Sequence, residues 1–126
     1  GDLQRSRDVL AALDGIDVLY YLVHSMSSGR DFEVTEERIA RTVARVAKEA
    51  GVTRIVYLGG LHPDGPLSRH LRSRKEVGDI LLASGVPTVA LQAGVLIGSG
   101  SASFEMIRHL TEVLPYMPAP KWVRNF

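Results

Sequence analysis

The groups in this chain that can exchange a proton near neutral pH are its four histidines, His24, His62, His70 and His109. No two of them stand at a His-x-x-x-His spacing and no acidic pair clusters beside them, which argues against a metal site. Cysteine is absent, so disulfides, thiolate zinc sites and a cysteine nucleophile are excluded. Ser25 adjoins His24, but adjacency alone makes no catalytic triad, and Gly-x-Ser-x-Gly does not occur. His70 and Arg74 stand four residues apart, the spacing that sets two side chains on one helix face. A histidine there can serve as acid or base, whereas a guanidinium stays protonated and acts only as a fixed cation and donor. The same pair also reads as part of a solvated basic face with Arg69, Arg72 and Lys75. Gly98-Ser99-Gly100-Ser101-Ala102-Ser103 superficially matches a phosphate-binding glycine turn with its last glycine replaced. No second strand ending in an acidic residue follows, because Pro115 to Pro120 intervene, so the serines read as caps and a polar loop or as an anion site at a helix start.

Such groups need a scaffold, and three apolar runs of strand length supply it. Ile16 to Val23 stops at His24-Ser25, Ile55 to Leu58 at Gly59-Gly60, and Thr88 to Leu91 at Gln92-Ala93-Gly94. Continuous Val, Ile, Leu and Tyr runs separated by amphipathic helices mark a parallel sheet with helices packed on it. Sheets of this kind bind ligands beyond the carboxyl ends of their strands, so function is expected in the residues just after each run.

The helices are legible from their apolar spacing. A short one has Ser6 as its cap, Val9, Leu10 and Leu13 inward, and Gly15 at its end. A second repeats Ile39, Val43, Val46, Ala47 and Ala50 and stops at Gly51. A third is capped by Ser68, buries Leu71, Val77, Ile80, Leu81 and Leu82, and ends at Gly85. A fourth, from about Ser103 to Leu114, turns Met106, Ile107, Leu110 and Val113 inward. Right-handed crossovers between strands lying in chain order put the helices at 33–50 and 68–84 on one face of the sheet. The opposite face is then left nearly bare although the strands are apolar on both, so further elements are expected to cover it, or copies to associate through it. The opening at Gly1-Asp2-Leu3 and the close at Trp122 to Phe126 read as those of a piece cut from a longer protein.

Composition bounds the rest. A chain of 126 residues is expected to form one domain, and 45% hydrophobic residues exclude a disordered one. Fifteen basic and 14 acidic residues give a net charge of +1, without the clustered excess that phosphate-backbone binding needs, so nucleic acid is not an expected partner. No apolar stretch approaches membrane-spanning length, and a cytoplasmic protein without membrane contact is the expectation.

Four segments in order, Gly1-Asp2-Leu3, Asp17 to Met26, Arg54 to Leu61 and Ala93 to Gly100, resemble the middle of an atypical short-chain dehydrogenase/reductase of the NmrA-like, NAD(P)-binding group often labelled nucleoside-diphosphate-sugar epimerases. The resemblance spans nearly the whole chain. It implies an α/β, Rossmann-type parallel sheet with flanking helices, present in part as strands four to six of the doubly wound fold, with residues 1–126 forming a partial NAD(P)-binding domain. It also implies a dinucleotide, NAD or NADP, and a small-molecule substrate. Cofactor contacts are implied at Asp2 and Leu3 on the adenine side, at Leu22, Val23 and His24 on the ribose and nicotinamide side, and at Gly59, Gly60, Arg74, Ala93 and Gly94. Where active family members carry Ser or Thr at the end of the second run, this chain has Gly59-Gly60. Where they carry Tyr-x-x-x-Lys, it has His70 and Arg74, which leaves His70 as the catalytic candidate in place of the phenol and Arg74 as a possible holder of ribose hydroxyls. Gln92 stands where related enzymes have arginine.

The resemblance therefore points either to an oxidoreductase or epimerase-like enzyme acting by hydride transfer on a small carbonyl, alcohol or nucleotide-sugar, or to a non-catalytic NAD(P)-binding sensor. The glycine-rich turn that receives the pyrophosphate in the family is not in this sequence. The 126-residue chain by itself is accordingly expected to bind NADH and NADPH weakly or not at all; isothermal titration of each checks this.

Overall fold

The three apolar runs form parallel strands β1 (Val18–Tyr21), β2 (Arg54–Gly60) and β3 (Thr88–Ala93), side by side in chain order. Between them run α2 (Phe32–Glu49) and α3 (Arg69–Leu82), with α1 (Ser6–Leu13) before β1 and α4 (Ala102–Val113) after β3. The computed structural model describes residues 1–24, 31–62, 65–94, 96–98 and 100–116. Ser25, Ser99, and Pro118 and Pro120 lie outside them. Residues 1–93 form one compact unit and residues 94–126 another.

The strand ends depart from the apolar runs for a reason of pairing. β1 pairs only with β2, over Val18 to Tyr21, and Ile16 instead donates its amide to the Leu13 carbonyl in the turn leaving α1. β2 pairs on both sides and so continues through Gly59 and Gly60. Register then sorts the side chains by face, because alternate residues of a strand point opposite ways. Leu19, Ile55 and Thr88 stand in line, as do Tyr21, Tyr57 and Ala90. This face meets the helices: Ile55, at 0% exposure, packs in one cluster with Val43, Val46 and Ala47 of α2 and Val77 and Leu81 of α3. The opposite face carries Tyr20, Val56 and Val89 in line, with Leu58 beside Leu91, and Tyr20 there is 65% exposed. Both crossover helices thus cover one face, as handedness requires.

The helix ends have identifiable causes. α2 finishes in a Schellman arrangement, with Val52 donating to the Ala47 carbonyl at 3.0 Å and Gly51 to Lys48 at 3.3 Å. Gly51 adopts φ +77°, a left-handed conformation that L side chains rarely take. Ser68 caps α3, its hydroxyl accepting from the Leu71 amide at 3.3 Å. Ser6 is not a cap. Arg5 holds that position, Ser6 is the first helical residue, and its hydroxyl accepts from Arg45 of α2 at 2.8 Å.

Several side chains expected to face inward do not. Leu10 is exposed because Val9 and Leu13, four residues apart, already form the buried edge of α1. Leu82 lies about 100° around the helix from Leu81 and is likewise exposed. Met106, Ile107, Leu110 and Val113 are all exposed, and no α4 residue is buried. These positions separate packing from mere hydrophobicity in a way denaturation can measure. Ile55→Ala in the full-length protein is expected to cost about 2–5 kcal/mol in urea unfolding. Leu82→Ala is expected to stay within about 0.5 kcal/mol.

Candidate functional site

Parallel pairing brings the carboxyl ends of the strands to one rim. Gly60 is the register partner of Ala93, and Gly59 of Gln92. The Leu61 amide extends the ladder by donating to the Ala93 carbonyl at 3.2 Å. β1 ends at Tyr21, opposite Tyr57, and Leu22, Val23 and His24 continue from it past the last paired residue. Gly59-Gly60 and Ala93 therefore close the carboxyl ends of adjacent strands, and His24 follows the end of β1.

A cavity of about 230 Å³ opens between β1, β2, α2 and α3, lined in part by Tyr21, Val23, His24, Glu36, Tyr57 and Arg74. Its acid is held deep. Glu36 is 8% exposed and its Oε2 accepts from the hydroxyl of Ser73, which is 2% exposed. A buried carboxylate requires such donors. Tyr21 and Tyr57 meet edge to face with ring centroids 5.9 Å apart, and the Tyr57 hydroxyl donates to the Arg74 carbonyl at 2.9 Å. Burial pushes the Tyr21 phenol far above its ordinary value, and the Glu36 carboxylate and Tyr57 push it further. Burial also raises Tyr57, with the Arg74 guanidinium partly opposing and Glu36 adding to the shift. Both phenols thus stay protonated near neutral pH and are hydrogen-bond donors rather than proton-exchange groups. Together the walls offer a guanidinium, a carboxylate and apolar surface, a set suited to a neutral ligand bearing hydroxyl or carbonyl groups.

No protein-family model matches the chain, and no curated protein matches it in sequence. Solved structures do match. Triphenylmethane reductase from Citrobacter sp., complexed with NADP(H), is 19% identical at a TM-score of 0.64, over 89% of this chain and 37% of its own. The NADPH-dependent quinone oxidoreductase of Escherichia coli, complexed with NADPH, is 26% identical at a TM-score of 0.60, over 75% of this chain and 31% of its own. Bordetella bronchiseptica WbmH, in complex with NAD+, is 18% identical at a TM-score of 0.67, over 89% of this chain and 45% of its own. The fold is Rossmann-type. The chain spans less than half the length of each of these structures. Its fold matches part of these NAD(P)-bound structures, in keeping with the sequence resemblance.

Within this Rossmann unit the residues singled out from sequence fall into separate groups. Val23, His24 and Arg74 share the cavity. Gly60 adjoins it: a Cβ placed there would lie 3.4 Å from Cδ of Arg74 and 3.0 Å from Cδ2 of Leu71. Leu3 and Val23 line a second, largely apolar cavity of about 190 Å³ together with Tyr20 and Tyr21. Leu22 is exposed. Asp2 is engaged locally, its Oδ1 accepting from the Gln4 amide at 2.9 Å and its Oδ2 standing 3.6 Å from Arg5. His70 does not line the larger cavity. It is exposed and stacks on the buried ring of Phe32 at 4.6 Å, beside Arg69, which lies over the same ring and pairs with Glu33 at 2.8 Å. The bond from Arg69 holds the Glu33 carboxyl below its ordinary value.

Gly59 has a packing role that sequence reading missed. A Cβ there would lie 2.9 Å from Cε1 of Tyr57, and one at Gly78 only 3.2 Å from the same atom. Gly78 thus marks where α3 comes close to β2. At Gly94 a Cβ would meet nothing within 4 Å among the described residues. Sequence reasoning also passed over Glu36 and Ser73, although both interrupt apolar stripes at helical spacing, Phe32-Glu36-Ala40 and Ser73-Val77-Leu81. Among the described residues no three His, Asp or Glu side chains group to hold a metal ion, and no helix is long and apolar enough to cross a membrane.

Two measurements follow from this geometry. Gly59→Ala, which drives a methyl into the Tyr57 ring, is expected to destabilise the full-length protein by about 1–3 kcal/mol. Gly60→Ala meets the flexible end of Leu71 and is expected to cost less in the same thermal melts. The second measurement is alkaline unfolding. Below about pH 10 the two phenols are protonated in both folded and unfolded chains and contribute no pH dependence. Above it the unfolded chain releases protons that the folded one retains, so stability falls as pH rises, and Tyr21→Phe is expected to flatten that slope.

Proposed function

We propose that the full-length protein binds NAD or NADP across the rim formed by the three strand ends and uses it on a small carbonyl, alcohol or nucleotide-sugar, as an oxidoreductase or epimerase-like enzyme. The observation that carries this reading is that His24 and Arg74 line one cavity toward the carboxyl ends of adjacent parallel strands, with Gly60, the last residue of β2, close to Arg74. That is where sheets of this architecture take dinucleotides. The complexes of the neighbouring structures with NADP(H), NADPH and NAD+ support it.

The residues present fit one half of such a ligand. Arg74 supplies fixed donors for ribose hydroxyls, His24 a second polar contact, and Gly60 an approach unobstructed by a side chain, while Ala93 ends β3 beside Gly60 and the resemblance puts Asp2 and Leu3 on the adenine side. When bound, the dinucleotide supplies the hydride. His70 is the proton donor in this reading, reached by turning away from Phe32.

A second reading, dinucleotide binding without turnover, is favoured by the replacement of the family's hydroxyl and phenol by Gly60 and His70 and by the stacking of His70 outside the cavity. Titration of the full-length protein with NADH and NADPH, followed by cofactor oxidation with carbonyl substrates, separates the two. Binding with turnover that falls in His70→Ala supports the enzyme; binding with no turnover across a broad screen supports the sensor; absence of binding sinks both. Arg74→Ala is expected to weaken dinucleotide binding about tenfold, the size of one lost charge-assisted bond.

A further inference from the structure

We infer that Tyr57 is a positioning residue for Arg74, a joint that sets where α3 presents its guanidinium to the cavity. The inference rests on the dinucleotide role proposed for Arg74. Tyr57 lies on the central strand, fixed by pairing to both neighbours through Tyr21 and Ala90. Its ring is clamped from two directions, by Gly59 of its own strand and by Gly78 of α3, each so close that a methyl would press on Cε1 at 2.9 and 3.2 Å. Its hydroxyl reaches past Gly78 to the carbonyl of the residue one turn earlier, Arg74, at 2.9 Å. That carbonyl is also where a regular helix places the bond from residue 78, so the phenol adds a second donor to an acceptor with two lone pairs. A strand side chain thereby grips the helix backbone at the very residue whose side chain lines the cavity.

The arrangement also gives a reason for glycine at 59. Any side chain there displaces the ring that holds Arg74. The phenol is protonated throughout the neutral range, and burial raises it further.

The test is a double-mutant cycle on the full-length protein, with NADPH and NADH binding followed by fluorescence titration and folding checked by thermal melts. Tyr57→Phe keeps the ring and deletes only the donor, and is expected to weaken binding about three- to tenfold. In an Arg74→Ala background the same change is expected to add nothing, since a residue that acts through Arg74 has nothing left to position. Gly78→Ala, which pushes the ring from the helix side, is expected to show the same dependence on Arg74. A Tyr57→Phe effect of equal size in both backgrounds, or none in either, overturns the positioning role while leaving the Arg74 assignment standing. An Arg74→Ala protein that binds as well as the parent sinks the Arg74 assignment, and this inference with it.

Discussion

Burial of one face of β2 against α2 and α3 is the constraint on which the rest of this structure depends. The strand is central, so its backbone polar groups are taken up on both sides, and its Ile55 and Tyr57 point together into the only well-covered layer among the described residues of the first unit. Once right-handed connections carry both helices to that layer, the carboxyl ends of the strands and the leading halves of the helices must share one rim. The cavity, its lining and the exposed apolar face behind the sheet are consequences of the same chirality rule.

The contact between α2 and α3 is unusual in being fastened by polar groups. Glu36 and Ser73 meet at buried positions in stripes otherwise made of Phe32, Ala40, Val77 and Leu81. A buried carboxylate costs desolvation energy that an aliphatic side chain would not, and the Ser73 hydroxyl offsets part of it. Glu36 also lines the cavity shared with Arg74 and His24. Around it the exposed ion pairs, Arg41 with Glu37, Arg45 with Glu49 and Lys75 with Asp79, sit on solvated helix faces and contribute little.

Much of this was legible beforehand. The apolar runs marked the strands, and Gly51 and Ser68 marked the end of α2 and the start of α3. Parallel pairing followed from continuous apolar runs separated by helices, the one-sided helices from handedness, and the Rossmann-type architecture from four short segments in sequence. The failures share one cause. Leu10, Leu82, Met106 and Val113 are hydrophobic at helical spacing, yet spacing says only which residues share a stripe, and whether a neighbour covers that stripe depends on chain far away in sequence.

The amino-acid sequence by itself determined the elements, their parallel order and the rim where polar residues gather, because periodicity, turn glycines and crossover handedness act over short stretches of chain. Only the tertiary structure decided which of those residues meet. It set His70 on Phe32 and away from the cavity, brought Glu36 to Ser73 across 37 residues, and closed Gly59 and Gly78 on the Tyr57 ring. Those contacts join residues of different elements at distances of a few ångströms, and no local rule of spacing encodes a separation that packing alone creates.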